Sequence, residues 1–78
     1  IEIDARGLKC PMPVLKARKA LEPLTPGTRI TLWATDPVAP LDMAHFCAEA
    51  QHHLIEQSES DQGYRFVIER GDRPACPE

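Results

Sequence analysis

The chain passes from a strand to a helix at Gly7-Leu8-Lys9-Cys10-Pro11-Met12-Pro13, and this junction decides the fold. Before it, Ile1 to Asp4 alternates apolar and polar residues, as a short strand does. Within it, Gly7 breaks the strand, and the two prolines suit the first turn of a helix, where backbone N–H groups lack intrahelical partners. An apolar stripe at helical spacing follows at Val14, Ala17, Leu21 and Leu24. We therefore expect a helix directly after Cys10.

The same patterns assign the rest of the chain. The first helix should end before Pro23 or Pro26-Gly27, because proline and glycine interrupt helices. The elements that follow are a strand at Thr28 to Ala34, a proline-rich turn at Thr35 to Pro40, a helix at about Leu41 to His53 and strands at about Leu54 to Ser60 and Tyr64 to Glu69. The predicted order is βαβαββ.

This order predicts where the loops lie. A right-handed crossover makes the first two strands parallel and packs both helices on one face of the sheet. The loops after these two strands, Ala5 to Cys10 and Thr35 to Pro40, then open at the same end of the sheet. We expect the functional groups there.

Length and composition limit the possible classes of protein. The 78 residues suffice for one domain, which we assign to residues 1–70, with a flexible tail at residues 71–78. No stretch of about 18 apolar residues is present, and the charged start is unlike a signal peptide, so we expect a cytoplasmic protein without a membrane partner. The three cysteines are odd in number and differ in surroundings, which favours reduced thiols.

The charge is unevenly distributed. The net charge is −3, but residues 1–19 hold five cations and two carboxylates, and the cations bracket Cys10. A charge cluster of this kind is usually an ordinary solvated helix face, and its position around Cys10 raises the alternative of a docking surface. Tight binding of nucleic acid is not expected, because the chain lacks a dominant basic face.

Cys10 is the candidate reactive group. The helix N-terminus, Lys9 and Arg6 should favour its thiolate, and the free amides of Met12, Val14 and Leu15 could be available to an anionic sulfur. A free cysteine is more often a small buried hydrophobe, but Cys10 precedes the apolar stripe and does not belong to it. Cys10 has no neighbouring base, as a hydrolytic cysteine enzyme needs, and no second cysteine at Cys-X-X-Cys spacing, as a dithiol oxidoreductase needs. The remaining chemistry for a single thiol is to accept a chemical group and transfer it to another protein.

Three other residues could support the site. Arg18, about two turns along the helix, could contact a partner or solvate the helix. Asp36 could orient the Cys10 loop or contact a partner, or it could serve ordinary Asp-Pro turn chemistry. Trp33 lies on the sheet face opposite the core, where it is a candidate partner contact unless the tail covers it.

The remaining thiols and the histidines are expected to be structural. Cys47 falls in the apolar stripe of the second helix and should be a slowly reacting core thiol, whereas Cys76 lies in the tail with no helix to activate it. His45, His52 and His53 are expected to be surface or half-buried imidazoles, and no ligand spacing typical of a metal site is present.

At this point the residues carry a resemblance. Asp4-Ala5-Arg6-Gly7-Leu8-Lys9-Cys10-Pro11-Met12-Pro13 resembles the signature of the TusA/SirA-like sulfur-carrier family. Further matches in order and spacing are Arg18-Lys19, Pro26-Gly27, Asp36-Pro37, Asp42 with Phe46-Cys47, and Tyr64 to Ile68. The resemblance covers about residues 2–70.

The resemblance implies a two-layer α/β (α+β) sandwich, with two helices on one face of a four-stranded mixed sheet. It also implies a sulfurtransferase activity in which Cys10 accepts sulfane sulfur as a persulfide, without metal or organic cofactor. The donor would be a protein of rhodanese or cysteine desulfurase type, and the acceptor a DsrE-like or other protein with a reactive cysteine. From the residues themselves, we expect the supporting or partner-binding residues to be Lys9, Arg6, Pro11, Met12, Pro13, Arg18 and Asp36.

Met12 departs from one branch of that family. Members that act in tRNA thiolation tend to have a glutamate between the two prolines, so the apolar Met12 leaves the acceptor and the pathway open, from sulfur oxidation or trafficking to tRNA or cofactor thiolation. The rival hypothesis is a non-catalytic interaction or regulatory module, in which the Cys-Pro-Met-Pro turn is only a docking shape.

Overall fold

The computed structural model describes residues 1–71. Its elements are β1 (Glu2–Ala5), α1 (Met12–Leu21), β2 (Arg29–Ala34), α2 (Ala39–Ala50), β3 (His53–Ser60) and β4 (Gly63–Glu69). The predicted order βαβαββ is confirmed. Cys76 and the rest of the predicted tail after Gly71 lie outside the described residues.

The four strands form one mixed sheet in the order β1-β2-β4-β3. β1 pairs with β2 in parallel, and β4 pairs with β2 and with β3 in antiparallel orientation. A β-bulge lies in β3 between Leu54 and Glu56. The register of the parallel pair ends at Ala5 opposite Ala34, so the chain leaves both strands at the same end of the sheet.

One face of this sheet carries the core. The alternating residues Ile30, Leu32 and Ala34 of β2 face inward and are fully buried. They share one buried cluster with Phe66 and Ile68 of β4 and with Ala17, Leu21, Met43, Phe46 and Cys47 of the two helices. The two helices on one face of a four-stranded mixed sheet are thus confirmed, and Cys47 lies in the core as predicted.

The bounds of α2 differ from the expected ones. The helix begins at Ala39 instead of about Leu41, because Pro40 is tolerated in the first helical turn, where its missing N–H is not needed. It ends at Ala50 instead of about His53, because Gln51 adopts a left-handed conformation with φ 62°. His53 consequently belongs to β3.

His52 is buried, unlike the surface or half-buried imidazole that was expected. Its Nδ1 accepts a hydrogen bond from the Gly71 amide at 3.0 Å, and its ring lies 5.4 Å from the Phe46 ring, centroid to centroid. Burial, reinforced by the charges of Arg70 and His53, lowers the pKa of His52. The neutral imidazole is therefore the form that fits the fold.

None of the helices within residues 1–71 combines the length and the apolar character that a membrane crossing requires.

The burial of His52 predicts a pH dependence of stability. Its folded pKa lies below the unfolded value of 6.5, so its contribution is fully present above that pH and is lost as the pH falls. Between about pH 7.5 and pH 5.5, the thermal midpoint of the wild type should fall more than that of His52→Asn. His45→Asn, at an exposed position of α2 that is not among the groups acting on His52, should behave like the wild type; equal drops in the wild type and His52→Asn would contradict the assignment.

The core position of Leu32 predicts a large effect of truncation. Leu32→Ala should lower the free energy of unfolding by about 2–5 kcal/mol, because it leaves a cavity between the sheet and the helices. The matched change Leu41→Ala, at a side chain 64% exposed, should alter it by about 0.5 kcal/mol or less. Urea unfolding measures both, and similar losses would contradict the assigned core.

Candidate functional site

The parallel pairing of β1 and β2 brings two loops together. The Gly7 amide donates a hydrogen bond to Thr35 Oγ1 at 2.9 Å, and Gly7 has a positive φ of 85° that favours glycine at this turn. Three residues later, the Cys10 amide donates to Asp36 Oδ2 at 2.5 Å. The predicted meeting of the two loops at one end of the sheet is confirmed.

Asp36 joins the Cys10 loop to the second helix. Its Oδ2 accepts from the Cys10 amide, and its Oδ1 accepts from the Val38 amide at 3.0 Å. These two hydrogen bonds, the Val38 bond first, and the charge of Lys9 lower the pKa of Asp36. Of the three roles considered for Asp36, the Cys10 hydrogen bond fits orientation of the Cys10 loop, and the Val38 hydrogen bond fits ordinary turn chemistry.

Cys10 is exposed at the start of α1. The Cys10–Pro11 peptide bond is cis, and Pro11 is the residue that precedes the first turn of the helix. Pro13 is buried below it, whereas Met12 is 45% exposed. The sulfur and the Met12 side chain are thus both accessible from solvent.

Two of the three amides expected to be available to an anionic sulfur are engaged elsewhere. The Met12 amide donates to the Lys9 carbonyl at 2.8 Å, and the Leu15 amide donates to the Pro11 carbonyl at 3.1 Å. The prediction that these two N–H groups are available to the sulfur is therefore wrong. A tight turn before the helix uses the first donor, and the helix itself uses the second.

The Cys10 thiol instead donates a hydrogen bond to Asp42 Oδ2, in the first turn of α2. This hydrogen bond, partial desolvation and the negative charges of Asp42 and Asp36 raise the pKa of the Cys10 thiol. The expected stabilisation of the thiolate is therefore wrong for this arrangement of the site. Two carboxylates close to the sulfur favour the protonated thiol.

Of the two cations that were expected to ionise Cys10, Arg6 is placed differently. Arg6 pairs with Asp4, with 2.9 Å between Arg6 Nε and Asp4 Oδ1, and its guanidinium lies 5.9 Å from the centroid of the half-buried Trp33 ring. This pair lowers the pKa of Asp4 to about 2. Arg6 thus lies at the opposite face of the sheet. Lys9 lies beside Cys10, and its charge lowers the pKa of Asp36.

Two surface cavities meet at Cys10. The larger, of about 340 Å³, lies between the two loops and is lined by Lys9 and Asp36 among others. The smaller, of about 190 Å³, runs between the helices beside Arg18 and Phe46. The Arg18 guanidinium lies 5.6 Å from the centroid of the Phe46 ring, so the structure brings this predicted residue to the site.

Asp42 and His45 were not recognised as site residues from the sequence. Asp42 was noted for its match to the family pattern without a role at the site, and His45 was expected to be a surface or half-buried imidazole; both line the smaller cavity with Cys10. The available signal was topological: Asp42 begins the helix after the second loop, and the second loop was predicted to lie beside Cys10.

No group of three side chains able to hold a metal ion occurs among the described residues.

The comparison with protein families decides the family to which the chain belongs. The family model described as sulfurtransferase TusA matches residues 1–70. The chain belongs to the TusA family. Its role accordingly lies in sulfur transfer.

Relatives and a solved structure agree with the TusA family. The chain is 42% identical over 67 residues to a protein named "Putative sulfur carrier protein" in Neisseria meningitidis serogroup A, and equally to one of that name in serogroup B. Each alignment covers 86% of this chain and 90% of the relative. The crystal structure of the SirA-like protein from Desulfitobacterium hafniense superimposes with a TM-score of 0.75 at 27% identity, covering 92% of this chain and 97% of that one.

The bridging role of Asp36 can be tested by hydrogen exchange. Asp36→Ala removes the acceptor of the Cys10 and Val38 amides, so both amides should exchange faster with solvent, as measured by NMR. The matched Asp61→Ala, in the exposed turn between β3 and β4, should leave both amides unchanged. Unchanged exchange in Asp36→Ala would show that the bridge does not hold the loop.

Proposed function

We propose that this TusA-family protein accepts sulfane sulfur as a persulfide on Cys10 and passes it to a cysteine of a partner protein. The observation that carries the proposal is the position of Cys10: an exposed thiol on a loop fixed by Asp36, at the junction of two open cavities. A thiol so placed can be approached by another protein's cysteine. The larger cavity leaves room for an outer sulfur atom.

Loading is a thiol–persulfide exchange. The Cys10 sulfur attacks the outer sulfur of the donor's persulfide, an S–S bond forms to Cys10, and the donor's own S–S bond breaks. The donor cysteine leaves with the electron pair and takes up the proton released by Cys10. The transferred sulfur keeps its oxidation state, so the step needs no oxidant or reductant.

Delivery reverses the roles. The acceptor's cysteine attacks the outer sulfur held by Cys10, the Cys10–sulfur bond breaks, and Cys10 regains a proton. Asp42 then accepts the hydrogen bond of the restored thiol. The cycle returns the site to the state seen in the structure, which suits a carrier.

Partners would meet the surface around Cys10. We propose that Lys9, Met12 and Arg18 contact the partners, while Pro11 and Pro13 shape the turn that presents the thiol. The donor would be a protein of rhodanese or cysteine desulfurase type, and the acceptor a DsrE-like protein or another with a reactive cysteine. We place the relay in the cytoplasm, where thiols remain reduced.

Intact-mass spectrometry tests this function. The reduced protein, incubated with inorganic polysulfide, should gain the mass of a sulfur atom, and a reductant should remove it. Peptide mapping should place the sulfur on Cys10, and Cys10→Ser should not gain it. Cys47→Ala, which removes a thiol whose pKa burial raises to about 11, is the matched control and should load like the wild type.

Two outcomes would overturn the proposal. Sulfur that attaches equally to Cys47 or Cys76 would show that Cys10 is not the carrier. A wild type that gains no sulfur would favour the interaction module, in which the Cys-Pro-Met-Pro turn acts only as a docking shape.

A further inference from the structure

The thiol proposed to carry sulfur is held in its protonated form in the isolated chain. Its hydrogen bond goes to Asp42, and a second carboxylate, Asp36, binds the amide of the same residue. Both carboxylates lie on the β2–α2 side of the site, so their charges act together. For a protein that must present a nucleophilic sulfur, this arrangement reduces reactivity.

The cations that residues 1–71 place near Cys10 do not offset this effect. The charge of Lys9 lowers the pKa of Asp36, and Arg6 forms an ion pair with Asp4. Arg18 lines the same cavity as Asp42, but its guanidinium lies over the Phe46 ring. His45 also lines this cavity, without a hydrogen bond to Asp42 among those of the described residues.

The carboxylates also oppose the approach of an anionic sulfur. The outer sulfur of a donor's persulfide carries negative charge, and it must come within bonding distance of Cys10 beside Asp42. The anionic sulfur and the Asp42 carboxylate would then lie close together, and like charges repel each other in a site that is partly shielded from water. Neutralisation of Asp42 would remove the repulsion and free the Cys10 thiolate in one event.

We propose that Asp42 acts as a brake on Cys10, and that a partner releases it by placing an arginine or lysine side chain against the Asp42 carboxylate. The proposal rests on the carrier function of Cys10 and adds its regulation. The open cavity between α1 and α2 gives such a side chain access to Asp42. A cation beside the donor's persulfide would stabilise the persulfide anion before the two proteins dock. After docking, the same cation would neutralise the Asp42 carboxylate.

The consequence is a thiol that reacts mainly within the correct complex. In the isolated protein, Asp42 keeps Cys10 protonated and thereby protects it from adventitious alkylation and oxidation. In the complex, the pairing of Asp42 with the partner's cation leaves the sulfur without its acceptor. Asp42 is a regulating residue in this scheme, because it acts through the ionisation of Cys10.

Alkylation of Cys10 by iodoacetamide at about pH 7, followed by peptide mapping, tests the brake. Loss of the carboxylate raises the fraction of thiolate by more than the lower basicity of the sulfur reduces its nucleophilicity, so the net alkylation rate rises. Asp42→Asn should therefore react at least about threefold faster than the wild type. Asp42→Ser is the second variant in case the first folds poorly, since serine is tolerated at the start of helices.

The matched control is Glu49→Gln. Glu49 is another carboxylate of α2 beside the same cavity, and the hydrogen bond of the thiol does not go to it. This variant removes the same charge and should change the alkylation rate by less than about twofold, because the charge is exposed and screened. Equal acceleration in Glu49→Gln and Asp42→Asn would overturn the assignment of the brake to Asp42, as would an Asp42→Asn that reacts no faster than the wild type.

The release is tested with a defined cation. The probe is an acetylated, amidated Arg-Gly-Arg peptide, compared with Glu-Gly-Glu and with sodium chloride at equal ionic strength. The arginine peptide should accelerate alkylation of Cys10 in the wild type and leave the alkylation rate of Asp42→Asn unchanged. No acceleration of the wild type, or equal acceleration of both proteins, would overturn the release by a cation.

These readouts separate the brake from the carrier function. A wild type that fails to gain sulfur from polysulfide, while the alkylation ratios hold, would overturn the carrier and leave the brake standing. A wild type that gains sulfur on Cys10, while Asp42→Asn alkylates at the wild-type rate, would overturn the brake alone.

Discussion

The carboxylate of Asp36, hydrogen-bonded to the amides of Cys10 and Val38, is the constraint on which the site depends. It exists because the parallel pairing of β1 and β2 delivers two loops to one end of the sheet. Through it, the turn that presents the thiol is tied to the start of α2. The same connection places Asp42, in the first turn of that helix, within hydrogen-bond reach of the sulfur.

Two opposing effects act on the thiol. A helix N-terminus favours an anion by about 0.3–1 kcal/mol at an exposed position, an effect equivalent to about half a unit charge. The full charges of two carboxylates oppose this effect, and one of the carboxylates accepts a hydrogen bond from the thiol itself. The nearby amides of Met12 and Leu15 already donate to other acceptors. The carboxylates prevail, and the thiol is presented without being activated.

Features that depend on local periodicity could be predicted from the sequence. The alternation of Ile30, Leu32 and Ala34 identified β2 and its buried face, and the helical spacing around Cys47 placed that thiol in the core. The loop meeting followed from the order of elements alone. The resemblance to the TusA family, carried by the Cys-Pro-Met-Pro turn, is confirmed by the family model.

Features that depend on side-chain choice could not be predicted. Asp42 is 32 residues from Cys10, and no local pattern indicates which acceptor the thiol selects. Arg6 is close to Cys10 in sequence, yet in the turn directly after β1 it pairs with Asp4, whose carboxylate also accepts a hydrogen bond from the Arg6 amide. The end of α2 depends on the left-handed conformation of Gln51, a residue type that rarely adopts it.

The titration of Cys10 shows directly whether the folded protein holds this thiol in its protonated form. The ¹³Cβ chemical shift of Cys10 in the reduced protein, followed by NMR against pH, reports ionisation of the thiol. A peptide of residues 7–13 supplies the reference without Asp36 and Asp42. We expect a higher midpoint in the folded protein than in the peptide, because Asp42 and Asp36 favour the protonated thiol. A lower midpoint would show that the helix N-terminus and the cations dominate, and would contradict a thiol held protonated by the carboxylates.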